Sequence, residues 1–118
     1  MATADVTHVT GKIVKSVIWD WLSDASGDYS QATAKNVSGI IERAVFIPDG
    51  GDTAPDNNYD VTLLDRHSVD ILKGFGANRS STSTHNVTDF NELVDEVLTL
   101  VVDNAGNANG GKCIIYYR

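Results

Sequence analysis

This 118-residue chain is poor in the residue types that staple, kink or metallate small folds: it has one cysteine, two prolines and three histidines. With Cys113 alone, no disulfide can close within the chain and no cysteine-based zinc site can be built. Stability has to come from a buried core, and this length suffices to bury one. Basic residues are also scarce. The 9 Lys and Arg are scattered and stand against 16 Asp and Glu, a formal net charge of -7. Binders of nucleic acid or anionic lipid neutralise negative charge with Lys and Arg, so neither is an expected partner. No apolar run approaches the ~20 residues that a spanning helix needs. The opening Met1-Ala2-Thr3-Ala4-Asp5 lacks the basic region and apolar stretch of a signal peptide. The expectation is one soluble domain made in a cytoplasm.

What the chain does contain is β-branched and aromatic runs separated by turn residues. Residues 98–103 and 112–118 are rich in Val, Ile, Leu, Thr and Tyr, and between them lie only Asn, Ala and Gly. The runs suit a pleated, half-buried surface, and Asn and Gly tolerate the positive φ that reverses a chain. This predicts a C-terminal β-hairpin with a loop longer than the two-residue type. Residues 1–10 are small, polar and β-branched, and read as a flexible arm or a weak edge strand. Residues 11–118 read as the domain itself.

Residues 11–22 form the first strong strand. Trp19 and Trp21 share one nominal face, whereas Ile18 and Leu22 share the other. Apolar groups on both faces have two explanations. One face meets the core and the other a partner, or the strand bends at a bulge and switches its buried face. If the tryptophans point inward, Ile18 and Leu22 are the exposed pair, and the reverse holds otherwise. Ile18, Trp19, Trp21 and Leu22 are therefore the candidate interface residues.

Residues 39–47 make a second strand, with Ile41, Val45 and Ile47 expected to face the core. Pro48 stops it, because proline cannot donate to a ladder. Residues 59–65 make a third, with Tyr59, Val61 and Leu63 inward. A short strand is expected within residues 32–37 and another through Val87. Residues 69–72 suit a strand or a helical turn. The spacing of Phe90, Leu93, Val94 and Val97 suits one turn of helix capped by Thr88. Six to eight short strands joined by turn-rich loops give an all-β fold: a single-domain antiparallel β-sandwich, jelly-roll-like.

Catalytic and metal motifs are missing. There is no nucleophile elbow, phosphate-binding loop or His-Glu-x-x-His. His8, His67 and His85 are isolated, and Asp24 and Asp28 around Gly27 lack the spaced oxygen ligands of a calcium loop. Cys113, in the last strand, reads as a buried, small apolar side chain. No cofactor, metal or catalytic residue is expected, and the chain reads as non-enzymatic.

The order of these segments resembles a known family. Phe46-Ile47-Pro48-Asp49 is followed by Asn58-Tyr59-Asp60-Val61-Thr62-Leu63-Leu64-Asp65, then Val69-Asp70-Ile71-Leu72 and Gly76-Ala77-Asn78-Arg79-Ser80. Residues 98–106 and Ile114-Ile115-Tyr116-Tyr117 complete the pattern. It is similar to small structural proteins of tailed bacteriophages, and covers residue 11 to the C-terminus. The resemblance implies a β-sandwich that decorates or cements a capsid shell. Its partner would be the major capsid protein or another virion protein, and its place the virion, after synthesis in the host cytoplasm. A homo-oligomer, with a trimer favoured, fits repetition on a symmetric lattice. The alternatives are a tail or neck component, or a carbohydrate-binding module on the same fold with Trp19, Trp21 and Tyr29 as its aromatic row.

Overall fold

A computed structural model describes residues 5–10, 13–88 and 91–118. Nine strands are present among them: β1 (Asp5–Thr10), β2 (Lys15–Leu22), β3 (Tyr29–Ala32), β4 (Val37–Pro48), β5 (Asp60–Leu64), β6 (His85–Val87), β7 (Glu92–Glu96), β8 (Thr99–Asp103) and β9 (Gly110–Tyr117). All pairings are antiparallel. The larger sheet runs β1-β2-β9-β4, and the far edge of β4 is shared by β7 along its first half and β6 along its second. The smaller sheet runs β3-β8-β5. The chain is all-β, and its two sheets form a sandwich. Of the two readings of the N-terminal segment, the described part, β1, is an edge strand in register with β2 from Asp5↔Asp20 to Thr10↔Lys15.

Strict alternation builds the core. In β2, Val17, Trp19 and Trp21 are buried. They line up across the ladder with Ile115, Cys113 and Gly111 of β9, which pair in turn with Ala44, Phe46 and Pro48 of β4. The smaller sheet supplies the opposing layer: Tyr29, Val61, Leu63, Leu100 and Val102. Tyr59, Val61 and Leu63 point inward as expected. The Trp19 indole Nε1–H donates to the Gln31 carbonyl at 3.2 Å, which ties the layers together while satisfying a buried donor. Trp21 packs on Tyr59 with ring centroids 5.6 Å apart.

The face switch proposed for the first strand occurs in β4 instead. The pairing of β2 with both neighbours is uninterrupted, whereas β4 shifts register against β9 between Ile41 and Arg43. One extra residue, Glu42, reverses the parity of everything after it. Ile41 therefore faces the core as expected, but Ala44 and Phe46 follow it inward. Val45 and Ile47 turn to the other side of the sheet, where Val45 is still buried, at 6% exposure, and Ile47 is half-buried.

The C-terminal hairpin is also corrected. β8 lies in the smaller sheet and β9 in the larger, so the two strands face each other instead of pairing. The link of residues 104–109 is a packed corner. Asn104, Gly106 and Ala108 have φ of 62°, 84° and 53°. Ala105 is buried and donates its N–H to the Gly27 carbonyl at 3.0 Å. The Ser23 hydroxyl donates to the Gly106 carbonyl at 2.5 Å and accepts the Asn109 N–H at 3.0 Å. At about 3.3–3.6 Å per extended residue, such a link easily crosses the ~10 Å between packed sheets.

Residues 92–96 form β7 where helical spacing pointed to a turn of helix. The open edge of β4 takes them as a strand, and tertiary pairing overrides the local pattern. Val94 alone of the expected helical stripe is buried; Leu93 is 81% exposed, Val97 is exposed, and Phe90 lies outside the described residues. Residues 69–76 are turns organised by Asp70, whose carboxylate accepts the N–H groups of Leu63, Leu72 and Gly74 at 3.0–3.1 Å. Gly76 closes this segment on β5: its carbonyl accepts the Val61 N–H at 2.8 Å, and a Cβ there would lie 2.0 Å from the Val61 oxygen. The turns thus cover an edge that would otherwise offer unpaired backbone groups.

Candidate functional site

Alternation that buries Val17, Trp19 and Trp21 sends Ser16, Ile18, Asp20 and Leu22 to the outer face of the larger sheet. Trp19 is fully buried and Trp21 is 2% exposed, so neither is available to a partner. Both are corrected from interface candidates to core anchors: their indoles fill the space between the sheets, and the Nε1–H of Trp19 is already engaged. Ile18 and Leu22 are half-buried on the outer face, the exposed pair of the inward-tryptophan alternative.

Ile18 does not stand alone. Across the ladder it pairs with Ile114 of β9, and Ile114 pairs with Val45 of β4. This makes a three-strand apolar row at the centre of an outer face, with Ile18 and Ile114 half-buried and Val45 buried. The neighbouring row is Ser16, Tyr116 and Arg43, with the Arg43 guanidinium 4.7 Å above the Tyr116 ring and its Nε–H donating to Asn86 at 2.7 Å. On the other side, Asp20, Lys112 and Ile47 form a mixed row. Val9 of β1 is exposed opposite Ser16, and Leu93 of β7 pairs with Ile40. An antiparallel sheet with one solvated face normally carries polar residues there. This face is instead apolar at its centre and charged towards its margins.

Ile114, Val45 and Tyr116 were missed as members of this face. A signal for Ile114 and Tyr116 existed: residues 112–117 are apolar on both parities, as residues 13–22 are. Val45 carried none, because its orientation depends on the bulge.

The outer face of the smaller sheet is different in kind. Asp60 pairs with Asp103 across β5 and β8, and Asp28 precedes Tyr29 on β3, next to Asp103. Desolvation, then the Asp28 carboxylate and its hydrogen bond, then Asp60, push the Asp103 carboxyl above its usual 3.8. A group that binds protons more readily when folded adds stability below its unfolded pKa and loses it as pH rises through the folded value. At neutral pH the repulsion is therefore fully present. Asp103→Asn should raise Tm at pH 7 by a few degrees, in line with about 0.2–1 kcal/mol for facing like charges. Parallel thermal melts should show the difference narrowing as pH falls towards 3.8. Asp65 acts in a separate window. Backbone N–H groups of Val69 and His67 hold its carboxyl low, so its contribution is lost only below 3.8.

Among the described residues, no group of three or more His, Cys, Asp or Glu is arranged to hold a metal ion. His8 lies on β1, His67 in an exposed turn and His85 on β6, where its Nδ1 sits 2.7 Å from the Arg79 guanidinium. The Cys113 thiol is fully buried and pushed up to about 12 by that burial, which keeps it protonated and unreactive. No described helix is long and apolar enough to cross a membrane. Comparison with protein families, curated proteins and solved structures returns no match.

Proposed function

We propose that this chain is a non-enzymatic virion structural protein, a capsid decoration or cement protein that binds a phage head lattice through the outer face of its larger sheet. The observation that carries the reading is the apolar row at the centre of the outer face: Ile18 and Ile114, both half-buried, keep apolar surface open beside buried Val45, and such surface is expected where a partner covers it. The resemblance in segment order to small virion proteins of tailed phages gives the partner class, a major capsid protein or a neighbouring virion protein. A lattice presents identical sites at fixed spacing, so several weak contacts made by a cyclic oligomer, a trimer first, add up to firm attachment. The net charge of -7 argues against nucleic acid as the partner.

A tail or neck component is the runner-up, and it would use the same face. The carbohydrate reading loses its aromatic row, because Trp19, Trp21 and Tyr29 are all buried. The test is co-expression with the head-shell protein encoded nearest its own gene, followed by gradient purification of the shells. The chain should band with the shells at a fixed number of copies per lattice unit. A chain that stays at the top of the gradient contradicts the decoration reading.

A further inference from the structure

We propose that β1 is an edge strand released by acid, with His8 as its latch: the neutral imidazole docks against the sheet, and protonation undocks the strand. This device is independent of the lattice reading. Among the described residues β1 pairs with β2 alone, and no other described strand holds its far side in the sheet. His8 pairs with Val17, which is fully buried, and its ring shares the inward face of β1 with partly buried Val6. Both ring nitrogens are buried, and neither has a hydrogen-bond partner among the described residues.

A neutral imidazole in that position leaves one donor and one acceptor unmet. A charged one would bury a cation with two unmet donors, which is far worse. Among the described residues, the groups around it offer no relief. Lys35, from the link between β3 and β4, adds repulsion. Lys15, on the same face of β2, directs its ammonium to the Ser38 carbonyl at 3.5 Å and over the Tyr117 ring. Asp20 of β2 lies on the opposite face, and Tyr29 is the one ionisable residue within β3. Burial first, and Lys35 second, lower the pKa of His8 below 6.5. The docked strand therefore binds a proton less readily than the free one. Docking is at full strength above 6.5 and weakens as pH falls through the lowered value.

Acid would free the edge of β2 together with the inward side of β1, which removes Val6 from the core margin. The strand that neighbours β1 is the one carrying Ile18, so its release changes the border of the outer face.

Amide hydrogen exchange on the full chain, followed residue by residue at pH 7.5 and pH 5 and corrected for intrinsic rates, tests this. Protection at Val6 to Thr10 should fall by as much as about tenfold for each pH unit below 6.5, while β4 and β9 amides keep theirs. In His8→Leu the fall should disappear, although His67 and His85 remain to titrate. An NMR titration of the wild-type ring should place His8 below 6.5. Unchanged β1 protection at pH 5, an equal fall in His8→Leu, or a His8 pKa at or above 6.5 would each overturn the proposal.

Discussion

Removal of Cys113–Arg118 should abolish folding. The segment is most of β9, and β9 is the strand on which the larger sheet depends: it pairs along its whole length with β2 on one side and with β4 on the other. Its loss leaves two facing rows of unpaired backbone groups in the middle of the sheet. It also withdraws Cys113, Ile115 and Tyr117 from the core. Even at the low end of about 2–5 kcal/mol for each large core side chain removed, the loss of Ile115 and Tyr117 together approaches the about 5–15 kcal/mol that holds such a domain folded. The truncated chain should show no cooperative melt and no dispersed amide spectrum. A soluble truncation that melts cooperatively would mean that β2 and β4 can close on each other without β9.

Trp19→Ser is the single change with the largest expected cost. Removing a buried indole costs about 3–5 kcal/mol through lost burial and the cavity left behind. The Gln31 carbonyl also loses its donor. Tm should fall by roughly 10–20 °C, or the chain should fail to fold at all. Its neighbour gives the contrast. Ile18→Asp lies on the outer face, where the ring of contacts is open on one side, and should cost only about 1 kcal/mol through its cross-strand pair. Thermal melts of the two variants side by side check both orientations, because a register error of one residue would exchange their effects.

That exchange shows what was legible in the sequence. The orientation of β5 could be read outright, since Tyr59, Val61 and Leu63 alternate with Asp60 and Thr62 and only one face is apolar. β2 could be read as far as an alternative. Trp19 and Trp21 had to share a face, but both faces were apolar and only the packed structure decides between them. β4 misled because one inserted residue, Glu42, inverts the parity of Val45 and Ile47, and nothing local marks a bulge at that point. Residues 98–118 carried a true strand-turn-strand signal. Local composition cannot say whether the second strand pairs with the first or crosses to the opposite sheet; that depends on β2 and β4, which are distant in sequence. The same non-locality hid most of the candidate site. Ile18 and Leu22 stood out as apolar residues on the wrong face of a strand, but Ile114 and Val45 join them only because β9 threads between β2 and β4.

If the outer face of the larger sheet is the working surface, a charge placed there and a charge placed on the opposite sheet should have different effects on attachment. Ile18→Asp and Ser30→Lys, the latter on the exposed face of the smaller sheet, are each co-expressed with the head-shell protein and carried through the same gradient as the wild type. Both variants should keep a cooperative melt. Ile18→Asp should leave the shells and lose its oligomer, while Ser30→Lys should band with them at the wild-type ratio. Shell-bound, oligomeric Ile18→Asp at that ratio would contradict the account.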